Sequence, residues 1–541
     1  MEQMLDFKKL TMKIFNTLSK IGILMLFIGC TSDLDVEPGD PNAFLDSDFY
    51  SDPSAYREGL AGVYANLSLT GTNGADNSNI QGLDAGTSQY GRGLWNLQEL
   101  TTDEAIWSWE NDPGLRELNR NTWAADNVVL RGMFGRTMTS VAFANEYLRQ
   151  TEESVLDSRG VDGSLREDIQ VYRAEARFLR ALSYYHMMDL FGKAPFVTEA
   201  DPVGAYQAPE YDRTELFNFI ESELTAIIPD LKDPLQNEYA RADKAAAWML
   251  LAKIYLNAEV FTTEARYSEC LSFCEQIINS GYSLAPEYLN LFKADNDQGA
   301  SRNEIIFPLV SDGITTQNYG PTTVAINGQV GSKELNGENF GVAAGGWGGA
   351  LRVTQQFSET MLNGNYNEDT RNTIILADRT INITEVSQKD QGYIVSKWSN
   401  RTSTGETGSA TEIVDTDFPL FRLADVYLMY AEAQIRGGGG SASLAVEYIN
   451  DLRTRAENPQ RIGVSDLTLD LILNERLVEL YWEAHRRQDL IRFNRYTGGV
   501  YNWSWKGNTP NGIAIDATKK LFPIPEASLA ANPNLTQNSG Y

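Results

Sequence analysis

The 541-residue chain has only two histidines, His186 and His485, and three cysteines, Cys30, Cys270 and Cys274. So few imidazoles and thiols leave little material for a structural zinc site or a disulfide framework. Cys270 and Cys274 lie four apart in RYSECLSFCEQIINS, which stacks them on one helix face without good disulfide geometry, so they read as core thiols. Basic clusters are lacking too. Lys and Arg total 45 against 73 Asp and Glu, a formal charge of −28, and an acidic surface repels phosphate backbones. Nucleic acid is therefore not an expected partner, whereas a neutral ligand is compatible. Long apolar runs are missing as well: IGILMLFIG at residues 21–29 is far short of the roughly 20 residues that a membrane-spanning helix needs.

That run does suit the apolar region of a secretory signal. Lys13 and Lys20 precede it, whereas Glu2 and Asp6 fit badly in a positive leader, which points to translation starting at Met12. Gly29-Cys30 resembles a bacterial lipobox, with Phe27 where Leu is usual; the alternative is an ordinary signal with an incidental cysteine. On the lipobox reading, residues 1–29 are a signal peptide, Cys30 carries lipid, and residues 30–40 form an acidic tether.

The remainder, 41–541, has a globular composition with 42% hydrophobic and 11% aromatic residues. Periodicity predicts helices at 170–192, 215–231, 242–258, 267–281, 421–436, 443–456 and 467–493, the last being the longest periodic run. Ala174, Ala176 and Ala181 let a neighbouring helix approach closely. GGGG at 437–440 ends one helix and reverses the chain into the next. The succession predicts a mostly α fold with tetratricopeptide-like helix pairs over about 130–290 and 418–496. Segments 60–125 and 300–415 read as irregular, a common way to build a binding surface on a helical scaffold.

Within them, TTDEAIWSWEND (101–112) places Trp107 and Trp109 two apart, the period of an extended chain. Such a pair is either a core anchor or an aromatic platform. Trp347 lies in GGWGG (345–349), where little neighbouring side-chain mass is available to bury it, so exposure is expected. Trp503 and Trp505 repeat the spacing and read as packing. Asp295, Asp297, Asp415 and Asp417 form D-x-D pairs whose hard oxygens suit calcium, though such pairs in loops are usually turn or capping chemistry.

ARFLRALSYYHMMDLFGKAPFV (176–197), DFPLFRLADVYLMYAEA (417–433), ERLVELYWEAHRRQDLIRF (475–493), FPIP (522–525) and NPNLTQNSGY (532–541), together with Cys30, resemble the SusD/RagB family of outer-membrane glycan-binding lipoproteins. The resemblance implies about four tetratricopeptide-like units supporting an irregular ligand-binding half. It also implies lipid anchoring at the cell surface and delivery of bound oligosaccharide, uncleaved, to a SusC-like TonB-dependent transporter. IQGLDAGTSQYGR (80–92), NLQELTTDEAIWSWEND (96–112), FKADND (292–297), QNYG (317–320), GGW (345–347) and NWSWKG (502–507) are similar to stretches of the family's starch-binding founder. This implies glycan contacts at Asp84, Arg92, Trp109, Tyr319 and Trp347, a further polar contact at Asn111 or Asp112, and a calcium near the D-x-D segments.

The chemistry is coherent. Aromatic side chains cover the CH face of a pyranose at little rotamer cost, and a few polar groups then select its hydroxyl rim. A curved aromatic platform suits a coiled α-1,4-glucan; another polysaccharide such as laminarin is the alternative. A surface glycoside hydrolase would need two carboxylates across the cleft, and no such pair stands out. His186 and His485 fall within family scaffold motifs and read as structural. A scaffold that binds only protein would not need Trp347 in a glycine frame. The expectation is a binding module with no required cofactor.

Overall fold

Alanine-rich helices make the first half of the scaffold. The computed structural model describes residues 49–71 and 74–541; the expected signal peptide, Cys30 and the expected tether lie outside the described residues. Val128–Gln150 packs on the 28-residue helix Gly163–Leu190, which also meets Arg213–Ile227. Ala174, Ala176 and Ala181 on the long helix are fully buried, so the small residues are used for close approach. Lys244–Leu256 is buried on nearly every side, as a helix apolar all round must be. It packs on Tyr267–Ile278, whose Cys270 and Cys274 are buried free thiols. Local chemistry sets the helix starts: Asp212 and Glu215 form a capping box, and Asp243 accepts from Ala246 N at 3.1 Å.

Tyr267–Ile278 then packs on Leu423–Ala433, which in turn meets Ala442–Arg455 and Leu469–Leu480. The segment between residues 278 and 423 is therefore an excursion from one continuous row of helices. Its base is closed by the antiparallel pair of Ile305–Leu309 with Phe418–Arg422, running from Ile305 opposite Arg422 to Leu309 opposite Phe418. Below that pair, Arg422 donates to Glu479 and Glu483 at 2.6 Å and to Glu304 at 3.0 Å, all essentially buried. Residues Tyr56–Tyr541 form one unit. The helix-pair scaffold stands as predicted.

Two expectations change. The run 467–493 is two helices, Leu469–Leu480 and Arg486–Arg492. Trp482 and Ala484 between them take positive φ of 61° and 64°. Burial of the Trp482 ring drives this break: its backbone N–H goes to Glu104 Oε2 at 3.0 Å and its indole N–H to Glu104 O at 3.3 Å. Likewise 60–125 is not irregular throughout, because it contains Ala55–Ser68 and the helix Tyr90–Glu99. Two glycines disguised the second helix. A Cβ at Gly91 would lie 2.8 Å from Leu309 and 2.9 Å from Pro321, so the glycine is required by close packing.

Glu99 and Glu104 meet at the break, both buried, with Glu99 accepting from His485 N at 3.2 Å. Burial raises both carboxyls; Glu104 adds to the effect on Glu99, whereas Glu104 itself is raised further by Asp103 and lowered by Glu99 and Arg486. Glu104 is pushed up to about 7, above its ordinary 4.5, and Glu99 is also held well above its usual range. The folded state therefore binds protons that the unfolded chain has released. This contribution is complete below the unfolded value and is lost as pH rises toward 7. Glu104→Gln keeps an acceptor for Trp482 N and removes the titration. The melting temperature of E104Q minus that of the wild type should thus climb between pH 5 and 8; a difference flat across that range would refute the raised Glu104 carboxyl.

Candidate functional site

The strand Ile106–Trp107 pairs antiparallel with Leu351–Arg352, Trp107 opposite Leu351, and Ser108 N extends the pairing to Ala350 O at 2.8 Å. This short pairing joins two segments more than 240 residues apart and delivers WSW beside GGWGG. Trp107 is only 1% exposed, whereas Trp109 and Trp347 are half-buried. The Trp107 ring stands edge-on to both, with centroids at 5.6 Å from Trp109 and 6.0 Å from Trp347. Trp109 and Trp347 lie 6.5 Å apart, tilted by 35°. A buried tryptophan thus supports two partly exposed ones.

Around Trp347 the glycines have a physical reason beyond lack of bulk. Gly346 and Gly348 take φ of 39° and 66°, and a Cβ at Gly346 would meet Val330 Cγ2 at 2.5 Å. The loop can therefore wrap closely around the end of the helix Pro321–Gln329, where Trp347 N donates to Asn327 O at 2.8 Å. Trp107 is fixed in turn: Asn119 bonds both its backbone groups, and its indole N–H donates to Asp112 Oδ2 at 3.0 Å.

These rings face a cleft of about 300 Å³ that Asp84, Arg92, Asp112 and Tyr319 also line. Every expected contact except Asn111 borders it. Asn111 is exposed and is not among the residues that line the cleft, whereas Asp112 is. Trp107 is buried but also contributes an edge to the wall. Trp503 and Trp505 pack inside, and the Trp505 indole N–H donates to Ile383 O at 2.9 Å.

Asp84 caps the short helix Ala85–Ser88, accepting from Thr87 N at 2.9 Å and from its hydroxyl at 2.5 Å. Desolvation pushes the Asp84 carboxyl upward, but the Thr87 bonds and the neighbouring Arg92 guanidinium outweigh it, and its pKa lies below the usual value. Arg92 enters from the first turn of Tyr90–Glu99. Its backbone N–H is taken by Gln89, while its guanidinium makes no hydrogen bond or salt bridge to a described residue. Burial lowers its pKa, and Asp84, Asp112 and Tyr319 counter this. The Tyr319 hydroxyl donates to Glu412 at 3.2 Å, and burial together with Glu412 and Asp76 pushes it up to about 12. Asp76, Glu412 and Lys389, whose ammonium stands 5.2 Å from the centre of the Trp109 ring, were not foreseen. They lie in polar loops with no period, where only spatial proximity singles them out.

The D-x-D aspartates serve separate partners. Asp295 accepts from Ser403 N at 2.7 Å, Asp415 from Gly313 N at 2.8 Å, and the buried Asp417 from Ser311 N at 2.8 Å. Asp417 is pushed up to about 7 by burial, with Asp297 nearby adding to the effect. Among the described residues no three His, Cys, Asp or Glu side chains are gathered as a metal would require, so the expected calcium ligand set is not assembled. Both histidines are buried: Tyr90 OH lies 2.6 Å from His186 Nδ1, and Lys253 Nζ 3.3 Å from His485 Nδ1. Burial holds both imidazoles near pKa 3, which suits packing and not proton transfer.

A Cβ at Gly86 would lie 2.2 Å from Arg92 Nη1. The clash is with the tip of a flexible side chain, so Gly86→Ala should move the guanidinium from its seat while leaving the melting temperature nearly unchanged. Loss of one charge-assisted contact then predicts about tenfold weaker ligand binding by calorimetry. Equal affinity in G86A would mean that the seated guanidinium does not touch ligand.

Comparison with known proteins agrees with this architecture. The SusD family model matches residues 303–541, and a second, described as starch-binding associating with outer membrane, matches residues 81–256. The starch-binding protein SusD of Bacteroides thetaiotaomicron is 32% identical, over 95% of this chain and 96% of its own length. A SusD-like protein of Bacteroides ovatus is 23% identical over 92% of this chain and 86% of its own. Among solved structures, a SusD homologue of B. thetaiotaomicron superposes with a TM-score of 0.70 at 20% identity, covering 92% of this chain and 98% of that one. Surface glycan-binding protein A of the same species, in complex with laminarihexaose, gives a TM-score of 0.65 at 20% identity, covering 89% and 98%. With a curated relative this similar over nearly its whole length, the chain belongs to the SusD family.

Proposed function

We propose that this protein is a non-catalytic glycan-binding lipoprotein of the outer-membrane surface, anchored through Cys30, which captures starch-type α-glucan oligosaccharides and passes them to a SusC-like TonB-dependent transporter. The observation that carries the reading is the convergence of Trp109, Trp347 and Tyr319, from three distant segments, on one cleft with an unspent Arg92 guanidinium. Trp109 and Trp347, tilted against each other, form a bent apolar wall that suits a coiled glucan. Arg92 donates to adjacent hydroxyl oxygens, Asp84 and Asp112 accept from the rim, and Tyr319 closes the far side.

The starch-binding relative supports the α-glucan reading, and the matched description supports the outer membrane. Among the described residues no helix is long and apolar enough to cross a membrane. Laminarin is the second reading, favoured by the neighbour solved with laminarihexaose. For hydrolysis, a proton donor to the glycosidic oxygen needs a raised carboxyl pKa. Asp84 is shifted in the opposite direction. No cofactor enters the scheme.

Calorimetric titration with maltoheptaose, α-cyclodextrin and a laminarin oligosaccharide tests the reading, with product analysis and a chelator control. The α-glucans should bind without cleavage, and Trp347→Ala should weaken them at least tenfold, as loss of a central aromatic contact costs about 2 kcal/mol. Binding of the laminarin oligosaccharide alone would transfer the assignment to β-glucan; cleavage would overturn the non-catalytic reading.

A further inference from the structure

The acids around the cleft are already engaged by the protein, Asp84 with Thr87, Asp112 with Trp107 and Glu412 with Tyr319. The cations are not. Like the Arg92 guanidinium, the ammonium of the exposed Lys389 forms no hydrogen bond or salt bridge with a described residue and rests over the Trp109 ring. It also lies against the Trp347 loop, since a Cβ at Gly348 would be 2.8 Å from Lys389 Nζ. A free ammonium thus stands on the aromatic wall itself.

Its position is built. Arg352, wholly buried, donates to Gln388 O at 2.6 Å, to Gln391 O at 2.8 Å and to Val386 O. Arg379 donates to Gly392 O at 2.7 Å and to Lys389 O. Two guanidinium groups thus hold the 386–392 loop through its backbone carbonyls, with Arg379 also paired to Glu334 at 3.3 Å. Arg352 is also the residue beside Leu351, which pairs with Trp107. The same two-residue strand therefore sets both the tryptophan wall and the loop that overhangs it.

We propose that Lys389 is a specificity-determining residue of the cleft, its ammonium donating hydrogen bonds to the hydroxyl oxygens of the sugar that stacks on Trp109 and Trp347. The inference rests on the glycan reading. An entering pyranose displaces the ammonium from the ring face, and the four-carbon stem lets it move to the hydroxyl rim. A cation–π contact, weak at an exposed site, is exchanged for stronger charge-assisted hydrogen bonds. Arg352 is a positioning residue that acts through the loop.

The test is calorimetric titration of wild type, K389M and K389R with maltoheptaose and laminarihexaose, with melting temperatures measured in parallel. K389M keeps most of the stem and removes the donor. It should bind about tenfold more weakly, K389R should stay within about threefold of wild type, and all three should melt together. Binding by K389M equal to or tighter than wild type overturns the role of Lys389 while leaving the glycan reading intact. A wild type that binds neither sugar overturns the glycan reading and the lysine's role together.

Discussion

Arg422 lies beneath the strand pair at the base of the excursion, its guanidinium withdrawn from water and surrounded by Glu304, Glu479 and Glu483. Arg371 donates to Glu479 at 2.9 Å, Arg455 also bonds Glu479, and Lys397 donates to Glu483 at 2.6 Å. Charges buried to this degree are tolerable only when each is neutralised in good geometry, and removing one member would strand the others at a cost of about 3–5 kcal/mol. Glu479 and Arg455 belong to the helical row, Glu304 immediately precedes the first strand, and Arg371 and Lys397 belong to the excursion. The network therefore ties the long excursion to its scaffold through several buried charges at once.

That anchoring allows a two-residue strand to carry a binding wall. Leu351–Arg352 can meet Ile106–Trp107 because the excursion is held at both ends, and Trp107 is held on its other side by Asn119 and Asp112. The stretch TTDEAIWSWEND divides its labour accordingly. Its acidic half goes inward, with Asp103 taking Arg486 in a bidentate pair at 2.7 Å and Glu104 capping the break at Trp482. Its aromatic half is thereby aimed at the cleft. One segment links the charged interior to the wall of the cleft.

The cleft shows how polar side chains are divided between structure and ligand. Its carboxylates accept from neighbouring protein donors, whereas Arg92 and Lys389 keep theirs free. Its unspent capacity is mainly for donation, which matches a ligand rich in hydroxyl oxygens. Gly86 and Gly348 make room for these two cations, so backbone without side chain is part of the recognition surface.

By itself the sequence determined the helical scaffold, because period 3.6, capping residues and small-residue faces are local properties that survive without knowledge of neighbours. It also marked Asp84, Arg92, Trp109, Tyr319 and Trp347, through stretches similar to a known family. The break at Trp482, the helix hidden in YGRGLWNLQE and the placement of Asp112, but not Asn111, on the cleft belonged to tertiary structure. Each depends on a partner distant in the chain: Glu104 for the first, Leu309 and Pro321 for the second, and a neighbouring cleft for the third. Lys389 was invisible for the same reason, since a lysine in a polar loop has no signal until Arg352 and Arg379 fold that loop onto a tryptophan 280 positions earlier. Periodicity is written along the chain, whereas charge pairing and ring contact are made across it, and only packing decides them.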